Sequence, residues 1–410
     1  MKKAVIFIMD GAGDRAIKEL GHLTPLEAAC TPNLDYMARN GINGLMYTVG
    51  PGIIPGSDTS HMSLFGYDPR KCYPGRGPLE ALGEGVDLKP GDVAFRVNFA
   101  TVDDSMRIID RRAGRIESGT HELARLIDGI EIDGVKIIFK PSVQHRAVLV
   151  LRGEDLSDKV SDSDPHHEGV PVRKVVPLDN TPEAKRTAEI LNKLMRIAYE
   201  KFNKAEINAK RREKGLLPAN MILIRGAGML RQIETIEKKY GIRGAIVSGV
   251  AIVRGVGRLL GMDAPKVKGA TGDPRTNIDA KIDAVINLLR DHDIVLVNIK
   301  APDVFGHDGN FIGKMKFIEK IDRHLRRLID YAIENDIYMI VSSDHSTPCS
   351  KRDHSSDPVP LAAIGPDVRV DSVEKFGERF AALGGLGTIT GMGLFGTILD
   401  WIDKAEKFGA

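Results

Sequence analysis

The chain lacks the features that mark several classes of protein. Its 410 residues include three cysteines, Cys30, Cys72 and Cys349, which are widely spaced and form no CxxC pair. This argues against a disulfide framework and favours a reducing compartment. A formal net charge of +2 gives no reason to expect a nucleic-acid partner. No apolar run approaches the length of a membrane span, so we expect a cytoplasmic protein without a membrane partner.

The first residues resemble the opening of a signal peptide, because two lysines precede an apolar run. Asp10 and Asp14 interrupt that run too early for a signal sequence. We therefore interpret residues 3–9 as a β-strand. Apolar content of 42% and charged content of 28% are those of an ordinary globular protein, and the length allows two domains.

Short apolar runs alternate with segments of helical periodicity, which is typical of an α/β fold. Strands are predicted at 3–9, 294–299 and 338–341, and a long helix at 311–333. Because these strand candidates are apolar on both faces, we expect a mostly parallel sheet flanked by helices.

The middle of the chain changes character. Residues 85–215 contain strand candidates, clustered basic residues and one long amphipathic helix, and they are predicted to form a smaller inserted α/β domain. The remainder, 1–80 and 216–410, is predicted to form one discontinuous catalytic domain. The apolar run 221–224 is assigned to that larger domain.

Polar side chains follow the predicted strands at the point where each strand ends. Carboxylates and imidazoles then collect at the ligand-binding edge of the sheet. Together with one serine they give seven candidate metal ligands: Asp10, Ser57, Asp303, His307, Asp344, His345 and His354. Such ligands suit Mn²⁺, Zn²⁺ or Fe²⁺, and seven are more than one ion usually takes. Two ions close together could clamp the attacking and leaving oxygens of a phosphoryl transfer.

Ser57 lies in the stretch Gly56-Ser57-Asp58-Thr59, which is typical of a helix start. A serine hydroxyl at a helix N-terminus can act as a nucleophile whose phosphoryl adduct is stabilised by the helix. The same pattern also fits a plain N-cap serine.

These residues, taken in order, resemble a known family. The segments that carry the resemblance begin at Met9-Asp10-Gly11, Gly56-Ser57-Asp58, Pro302-Asp303-Val304, Asp344-His345 and His354-Ser355-Ser356. The chain resembles the 2,3-bisphosphoglycerate-independent phosphoglycerate mutases of the alkaline phosphatase superfamily, in their shorter archaeal-type branch. The resemblance implies an alkaline-phosphatase-like sheet and a reaction of glycolysis and gluconeogenesis, the interconversion of 3-phosphoglycerate and 2-phosphoglycerate.

The resemblance also implies roles for the candidate residues. Ser57 is the expected nucleophile and forms a phosphoserine. One ion, Mn²⁺ by preference and otherwise Zn²⁺ or Co²⁺, is expected on Asp303, His307 and His354. The second is expected on the remaining four ligands: Asp10, Ser57, Asp344 and His345. No 2,3-bisphosphoglycerate is required, and closure of the hinged inserted domain is expected to exclude water.

Substrate recognition is less defined in the sequence. Guanidinium and ammonium groups that suit a phosphate and a carboxylate are found at Arg96, Arg111, Arg112, Arg146, Arg225 and Lys239. Two alternatives stay open: a metal-dependent phosphatase or other phosphomutase of the same superfamily, and a metal-binding protein without catalysis. The sequence makes no prediction of oligomeric state.

Overall fold

The computed structural model describes residues 2–407 and 409. Among these residues no helix combines the length and the apolar character that crossing a membrane requires. The strands, numbered along the chain, are β1 (Ala4–Met9), β2 (Ile42–Tyr47), β3 (Val93–Val102), β4 (Ile108–Asp110), β5 (Glu131–Ile132), β6 (Val135–Pro141), β7 (Arg146–Arg152), β8 (Met221–Met229), β9 (Gly244–Ser248), β10 (Ile294–Ile299), β11 (Tyr338–Ser342), β12 (Val359–Ile364) and β13 (Gly387–Thr390).

The α-helices range from single turns to long amphipathic segments. They are α1 (Pro25–Ala28), α2 (Pro32–Arg39), α3 (Ser57–Leu64), α4 (Pro69–Cys72), α5 (Arg76–Gly83), α6 (Thr120–Ala124), α7 (Pro182–Lys204), α8 (Glu206–Glu213), α9 (Ile236–Tyr240), α10 (Ala251–Leu259), α11 (Ile278–Leu288), α12 (Ala301–Asp308), α13 (Phe311–Glu334), α14 (Glu378–Ala381) and α15 (Gly391–Trp401). The strands and the long helix predicted from periodicity are confirmed within one or two residues.

The chain divides into two compact units. One comprises the chain up to Tyr73 and from Ile233 onward, and the other is Pro74–Gln232. The first contains a sheet in the order β13-β2-β12-β11-β1-β10-β9, in which β11, β1, β10 and β9 run parallel. Every residue of β1 is buried, because helices cover both faces of the sheet. The predicted α/β class with a mostly parallel sheet is confirmed.

The second unit is built on an antiparallel sheet. Its strands follow the order β4-β3-β7-β6-β5, and β8 pairs with β3. Helix α7 supplies one wall of the core, with Ile190, Leu191 and Leu194 fully buried. The unit therefore has a hydrophobic core of its own.

The unit boundaries differ from the predicted ones, 1–80 with 216–410 and 85–215. Strand β8 was assigned to the larger domain, but it pairs antiparallel with β3 in the second unit. The N-terminal boundary shifts because α5 packs closely on β3. A Cβ on Gly77 would lie 2.1 Å from the carbonyl oxygen of Ala94.

Candidate metal centre

Three buried carboxylates meet at one edge of the first unit's sheet. Asp10 directly follows β1, Asp303 lies in the first turn of α12 after β10, and Asp344 follows β11. Because β10, β1 and β11 are parallel neighbours, their carboxyl ends lie at the same edge. The three residues are at most 2% exposed.

Gly11 permits this close approach. Its φ is +63°, a left-handed conformation that favours glycine, and a Cβ there would lie 2.6 Å from the Cβ of Asp303. The Gly11 amide also donates to Asp344 Oδ1 over 3.0 Å. Gly11 thus lets the chain after β1 lie against Asp303 and bond to Asp344.

Ser57 is the first residue of α3, as its sequence context predicts. Its hydroxyl donates to Asp10 Oδ2 over 3.4 Å and lies 3.2 Å from His345 Nε2. The residue is 8% exposed. The hydroxyl thus lies at a helix N-terminus and beside both a carboxylate and an imidazole. This is the environment expected of a nucleophile.

The ligand atoms form two overlapping groups. Atoms of Asp10, Asp344 and His345 lie within 4.8 Å of one another, and so do atoms of Asp303, His345 and His354. His345 belongs to both groups, whereas it was expected in one. His307, expected beside Asp303, lies at the margin, with its Nε2 3.5 Å from Asp303 Oδ1 and its side chain 41% exposed.

The hydrogen bonds around His345 assign its tautomer. Thr347 donates its hydroxyl proton to Asp303 Oδ1 over 2.7 Å, because a carboxylate can only accept. Thr347 Oγ1 must therefore accept the proton of His345 Nδ1, which lies 3.0 Å away. The lone pair of His345 Nε2 is then free to face Ser57, or to bind a cation.

The other two imidazoles have the same arrangement. His354 Nδ1 lies 2.8 Å from the carbonyl oxygen of Pro55, and His307 Nδ1 lies 3.0 Å from that of Arg352. A carbonyl oxygen accepts, so each Nδ1 carries the proton. Each Nε2 then faces Asp303 Oδ1, at 3.4 Å from His354 and 3.5 Å from His307. Neighbours that fix the tautomer in this way are typical of metal-binding histidines.

The hydrogen bonding of the Asp344 carboxylate indicates whether a cation fits the centre. Asp344 Oδ1 accepts the amide protons of Gly11 and His345, each over 3.0 Å. Asp344 Oδ2 is buried and accepts no hydrogen bond from the described residues. Leaving a buried carboxylate oxygen without a donor is costly. A divalent cation bound here would satisfy that oxygen, so the residues fit a metal.

The charges of the centre also suit a cation. Burial, followed by the nearby charge of Asp344, raises the pKa of Asp10. Burial alone would raise the pKa of Asp303 as well, but nearby positive charge, that of the Lys300 ammonium above all, outweighs burial and lowers that pKa. Burial lowers the pKa of His345 to about 3. A neutral imidazole among carboxylates is the state that metal binding requires.

Lys300 is part of the centre and was missed from the sequence. Its ammonium donates to Asp10 Oδ1 over 2.8 Å and to Ser57 Oγ over 3.1 Å, and it lies 2.8 Å from Asp303 Oδ2. The residue directly follows β10, so treating every polar residue at a strand end as a candidate would have found it.

Asn298 and His61 connect Asp10 with the backbone of Ser57. Asn298 donates through Nδ2 to Asp10 Oδ2 over 2.7 Å, and the same nitrogen lies 3.4 Å from His61 Nε2. His61 Nδ1 lies 2.6 Å from the carbonyl oxygen of Ser57. Asn298 and His61 therefore link the backbone of the nucleophile to the carboxylate it contacts.

Three of the predicted substrate-binding arginines lie on neighbouring strands of the second unit. Arg96 of β3 is opposite Arg225 of β8, and Arg146 of β7 is opposite Asn98, two residues further along β3. Arg96 also has a carboxylate neighbour, since its Nε lies 2.8 Å from Glu80 Oε1. Burial outweighs the charge of Glu80 and, with smaller effects of neighbouring arginines, lowers the pKa of Arg96 to about 10. Arg225 is half-buried, and its Nε has no hydrogen-bond acceptor among the described residues. Cations held together in this way suit an anion.

The other three basic candidates have different surroundings. Arg111 donates two hydrogen bonds to Asp164, over 2.9 and 2.7 Å, so its guanidinium already has a carboxylate partner. Arg112 lies in the exposed turn beside it. Lys239 belongs to the first unit, where its ammonium lies 4.2 Å from the ring centre of Tyr67 and donates to the Gly66 carbonyl oxygen.

The chain is similar to several known proteins. The family model described as "2,3-bisphosphoglycerate-independent phosphoglycerate mutase" matches residues 38–208. A protein of that name from Methanococcus aeolicus is 50% identical over 408 residues, covering 100% of both chains. A protein from Methanocaldococcus jannaschii, whose name differs only by the number 1 at its end, is 51% identical over 409 residues, covering 100% of this chain and 99% of its own.

Two solved structures are similar along nearly the whole chain. A Pyrococcus horikoshii protein superposes with a TM-score of 0.86 at 38% identity, covering 100% of this chain and 99% of its own. The cofactor-independent phosphoglycerate mutase of Thermoplasma acidophilum superposes with a TM-score of 0.74 at 40% identity, covering 98% of this chain and 100% of its own.

Proposed function

The chain belongs to the 2,3-bisphosphoglycerate-independent phosphoglycerate mutase family, and on that premise we propose that it interconverts 3-phosphoglycerate and 2-phosphoglycerate through a phosphoserine at Ser57. It is therefore an isomerase of glycolysis and gluconeogenesis that needs no 2,3-bisphosphoglycerate. The observation that carries the proposed route is the position of the Ser57 hydroxyl. That hydroxyl lies at a helix N-terminus, 3.4 Å from Asp10 and 3.2 Å from His345.

Two divalent ions would be held by seven side chains. One would use Asp303, His307 and His354, and the second would use the remaining four: Asp10, Ser57, Asp344 and His345. The shared tautomer of the three histidines and the unpartnered Asp344 Oδ2 support this assignment. Such ions neutralise phosphoryl oxygens and lower the pKa of a bound hydroxyl. We propose Mn²⁺ as the physiological metal, with Zn²⁺ or Co²⁺ as alternatives.

The chain's own residues then account for the transfer. The Ser57 oxygen forms a bond to phosphorus as the bond from phosphorus to a substrate hydroxyl oxygen breaks. The serine hydroxyl loses one proton and the leaving oxygen gains one, so the transfer releases no net proton. Returning the group to the neighbouring hydroxyl of glycerate reverses these steps and completes the isomerisation. The positive end of the α3 helix dipole, at Ser57, favours the anionic phosphoserine.

The second unit, Pro74–Gln232, is proposed to bind the substrate. Within it Arg96, Arg146 and Arg225 have the chemistry for a phosphate or a carboxylate, because guanidinium groups donate in pairs to both anions. Arg112 stays a candidate, whereas Arg111 and Lys239 are proposed to stabilise the fold. The cytoplasmic location expected from cysteine usage stays a prediction.

A turnover assay tests the function and the nucleophile together. Metal-stripped protein is given Mn²⁺ and 3-phosphoglycerate, and 2-phosphoglycerate and inorganic phosphate are both measured. Wild type should form 2-phosphoglycerate, and Ser57→Ala should lose about 10⁴-fold or more in kcat, as removal of a covalent nucleophile does. Ser63→Ala is the matched control, since Ser63 is a buried serine of the same helix whose hydroxyl donates to the Thr48 carbonyl oxygen.

Three results would contradict the proposal. Release of inorganic phosphate without 2-phosphoglycerate would favour the phosphatase alternative. An active Ser57→Ala variant would mean that another group accepts the phosphoryl. Absence of both products from metal-loaded wild type would favour a metal-binding protein without catalysis.

A further inference from the structure

Lys300 connects the parts of the centre that would hold different ions. Its ammonium lies 2.8 Å from Asp10 Oδ1 and 2.8 Å from Asp303 Oδ2, and these carboxylates belong to different ligand groups. The third contact is a hydrogen bond of 3.1 Å to Ser57 Oγ. The side chain is 18% exposed, so the ammonium is largely enclosed by these partners.

The ammonium leaves the opposite oxygen of each carboxylate to other partners. Asp303 Oδ1 faces the Nε2 atoms of His307 and His354, at 3.5 and 3.4 Å. Asp10 Oδ2 faces the Ser57 hydroxyl at 3.4 Å. Lys300 therefore leaves free the oxygens that His307, His354 and Ser57 approach. At Asp10 Oδ1 it has a neighbour, because His345 Nε2 lies 3.6 Å from the same oxygen.

A second buried lysine shows what a purely structural contact looks like. Lys314 of α13 is fully buried, and its ammonium donates to Asp14 Oδ2 over 2.8 Å and to two backbone carbonyl oxygens, those of Gly13 and Thr347. None of these three residues is a candidate ligand. Lys300 differs because one of its hydrogen bonds ends on the hydroxyl assigned as the nucleophile.

We propose that Lys300 is a catalytic residue of this centre, a fixed third cation that donates to the phosphoryl group as it moves on and off Ser57. This rests on the function proposed above. While the bond from Ser57 Oγ to phosphorus forms and the bond to the substrate oxygen breaks, Lys300 keeps its protons and donates a hydrogen bond to an equatorial phosphoryl oxygen. The ammonium has three protons, and the one that it donates to Ser57 Oγ over 3.1 Å would turn to a phosphoryl oxygen bonded there, while the other two stay on Asp10 and Asp303.

The Lys300 ammonium lies so close to both ligand groups that its charge should measurably affect the affinity for a metal ion. Its charge repels a divalent ion bound to either Asp10 or Asp303, since like charges a few ångströms apart in a buried site interact strongly. A side chain kept for catalysis should therefore weaken metal binding. If Lys300 served only to hold the two carboxylates in position, its presence should instead strengthen metal binding.

The test compares Lys300→Met and Lys300→Arg with wild type. Titration calorimetry measures Mn²⁺ binding to the metal-stripped protein, and steady-state assays measure kcat and KM at saturating Mn²⁺. We expect Lys300→Met to bind Mn²⁺ about tenfold more tightly and to lose about 100-fold or more in kcat, with KM changed by less than about threefold. Lys300→Arg keeps the charge, so its Mn²⁺ affinity should stay within about threefold of wild type.

Lys314→Met is the matched control, because it also removes a lysine paired with an aspartate. It should lower thermal stability without tightening Mn²⁺ binding. The proposal would be overturned if Lys300→Met bound Mn²⁺ no more tightly than wild type, or if its kcat were unchanged. Either result would leave the mutase function intact. If wild type itself binds no Mn²⁺ and forms no 2-phosphoglycerate, the proposed function fails and the role of Lys300 falls with it.

Discussion

At the scale of single residues, the candidate centre carries more negative charge than its protein partners balance. Asp10, Asp303 and Asp344 are all buried, and one ammonium, that of Lys300, contacts the first two. Asp344 Oδ2 has neither an ammonium nor a hydrogen-bond donor within the described part of the chain. Without a metal, that oxygen opposes folding, and in the proposed two-metal site it would serve as a ligand.

Asp344→Asn should therefore separate stability from activity. An amide nitrogen in place of Oδ2 can donate to His345 Nε2, 3.4 Å away, and it carries no buried charge. We expect the metal-free variant to be more stable than metal-free wild type by about 1–3 kcal/mol, and its turnover with Mn²⁺ to fall at least about 100-fold. Denaturant unfolding in the presence of a chelator measures the first effect.

Asp322→Asn is the matched control for this prediction. Asp322 is equally buried, but its carboxylate accepts amide protons from Asn33 and Leu34, the latter over 2.8 Å. Asparagine keeps one oxygen for these amides, but its nitrogen would replace Oδ2, which accepts a hydrogen bond from Asn33 Nδ2 over 3.0 Å. Setting one donor against another should destabilise the protein by about 1–3 kcal/mol. If Asp344→Asn destabilised the metal-free protein to a similar extent, the assignment of a cation site at Asp344 would be contradicted.

Glu378 should make stability depend on pH. Burial, assisted by the neighbouring charge of Glu27, raises the pKa of Glu378 to about 7 from an ordinary value of 4.5. The folded state therefore binds this proton more tightly than the unfolded state does. The resulting stabilisation is complete below about pH 4.5 and is lost as the pH rises to about 7, by about 3 kcal/mol at most.

Glu378→Gln should remove that part of the pH dependence, because a glutamine cannot ionise. Unfolding midpoints of chelator-treated wild type and variant between pH 4.5 and 8 measure the effect. Glu374→Gln, at an exposed position four residues earlier, should behave like wild type. Parallel pH profiles for wild type and Glu378→Gln would show that this carboxyl does not titrate as described.

At the scale of elements, the ends of strands explain both what the sequence predicted and what it missed. Asp10, Asp303 and Asp344 each follow an apolar run, and neighbouring parallel strands bring such positions together. Lys300 follows β10 in the same way but is not a metal ligand, so a search for ligands passes over it. His345 belongs to both ligand groups because of the direction in which its side chain points. The spacing of residues along the sequence does not determine that direction.

Strand β8 shows a second limit of sequence reasoning. Its first half is a short apolar run that fits a buried strand of either sheet. The partner that decides its place is β3, more than 100 residues earlier in the chain, and the pairing brings Arg225 opposite Arg96. Long-range pairing of this kind leaves no local signal in one sequence.

This pairing leads to a prediction for substrate binding. Arg225→Gln removes a half-buried guanidinium beside Arg96 and Arg146, so we expect KM for 3-phosphoglycerate to rise about 10-fold or more. Mn²⁺ affinity should stay unchanged, because the candidate ligands all belong to the other unit. Arg173→Gln, at an exposed position of the second unit, is the control and should leave KM unchanged. An unaltered KM in Arg225→Gln would remove this arginine from the substrate site.

At the scale of the whole molecule, the chain forms two units with separate cores, and we propose that each contributes a different part of the chemistry. The first holds the seven candidate ligands and the proposed nucleophile, and the second holds the paired arginines. The fold class and the meeting of the three strand-end carboxylates could be predicted from the sequence, since both depend on strands and their ends. The boundary at residue 233 and the partners of individual side chains could not, because they depend on packing between distant segments.

The central claim is that Ser57 carries the phosphoryl group during isomerisation, and peptide mass spectrometry tests it most directly. Mn²⁺-loaded protein is mixed with 3-phosphoglycerate, quenched in acid within the first turnovers and digested. We predict phosphate on Ser57 in wild type and none in Ser57→Ala or in chelator-treated wild type. Phosphate on a different residue, or a peptide without phosphate from protein that is forming 2-phosphoglycerate, would contradict the account.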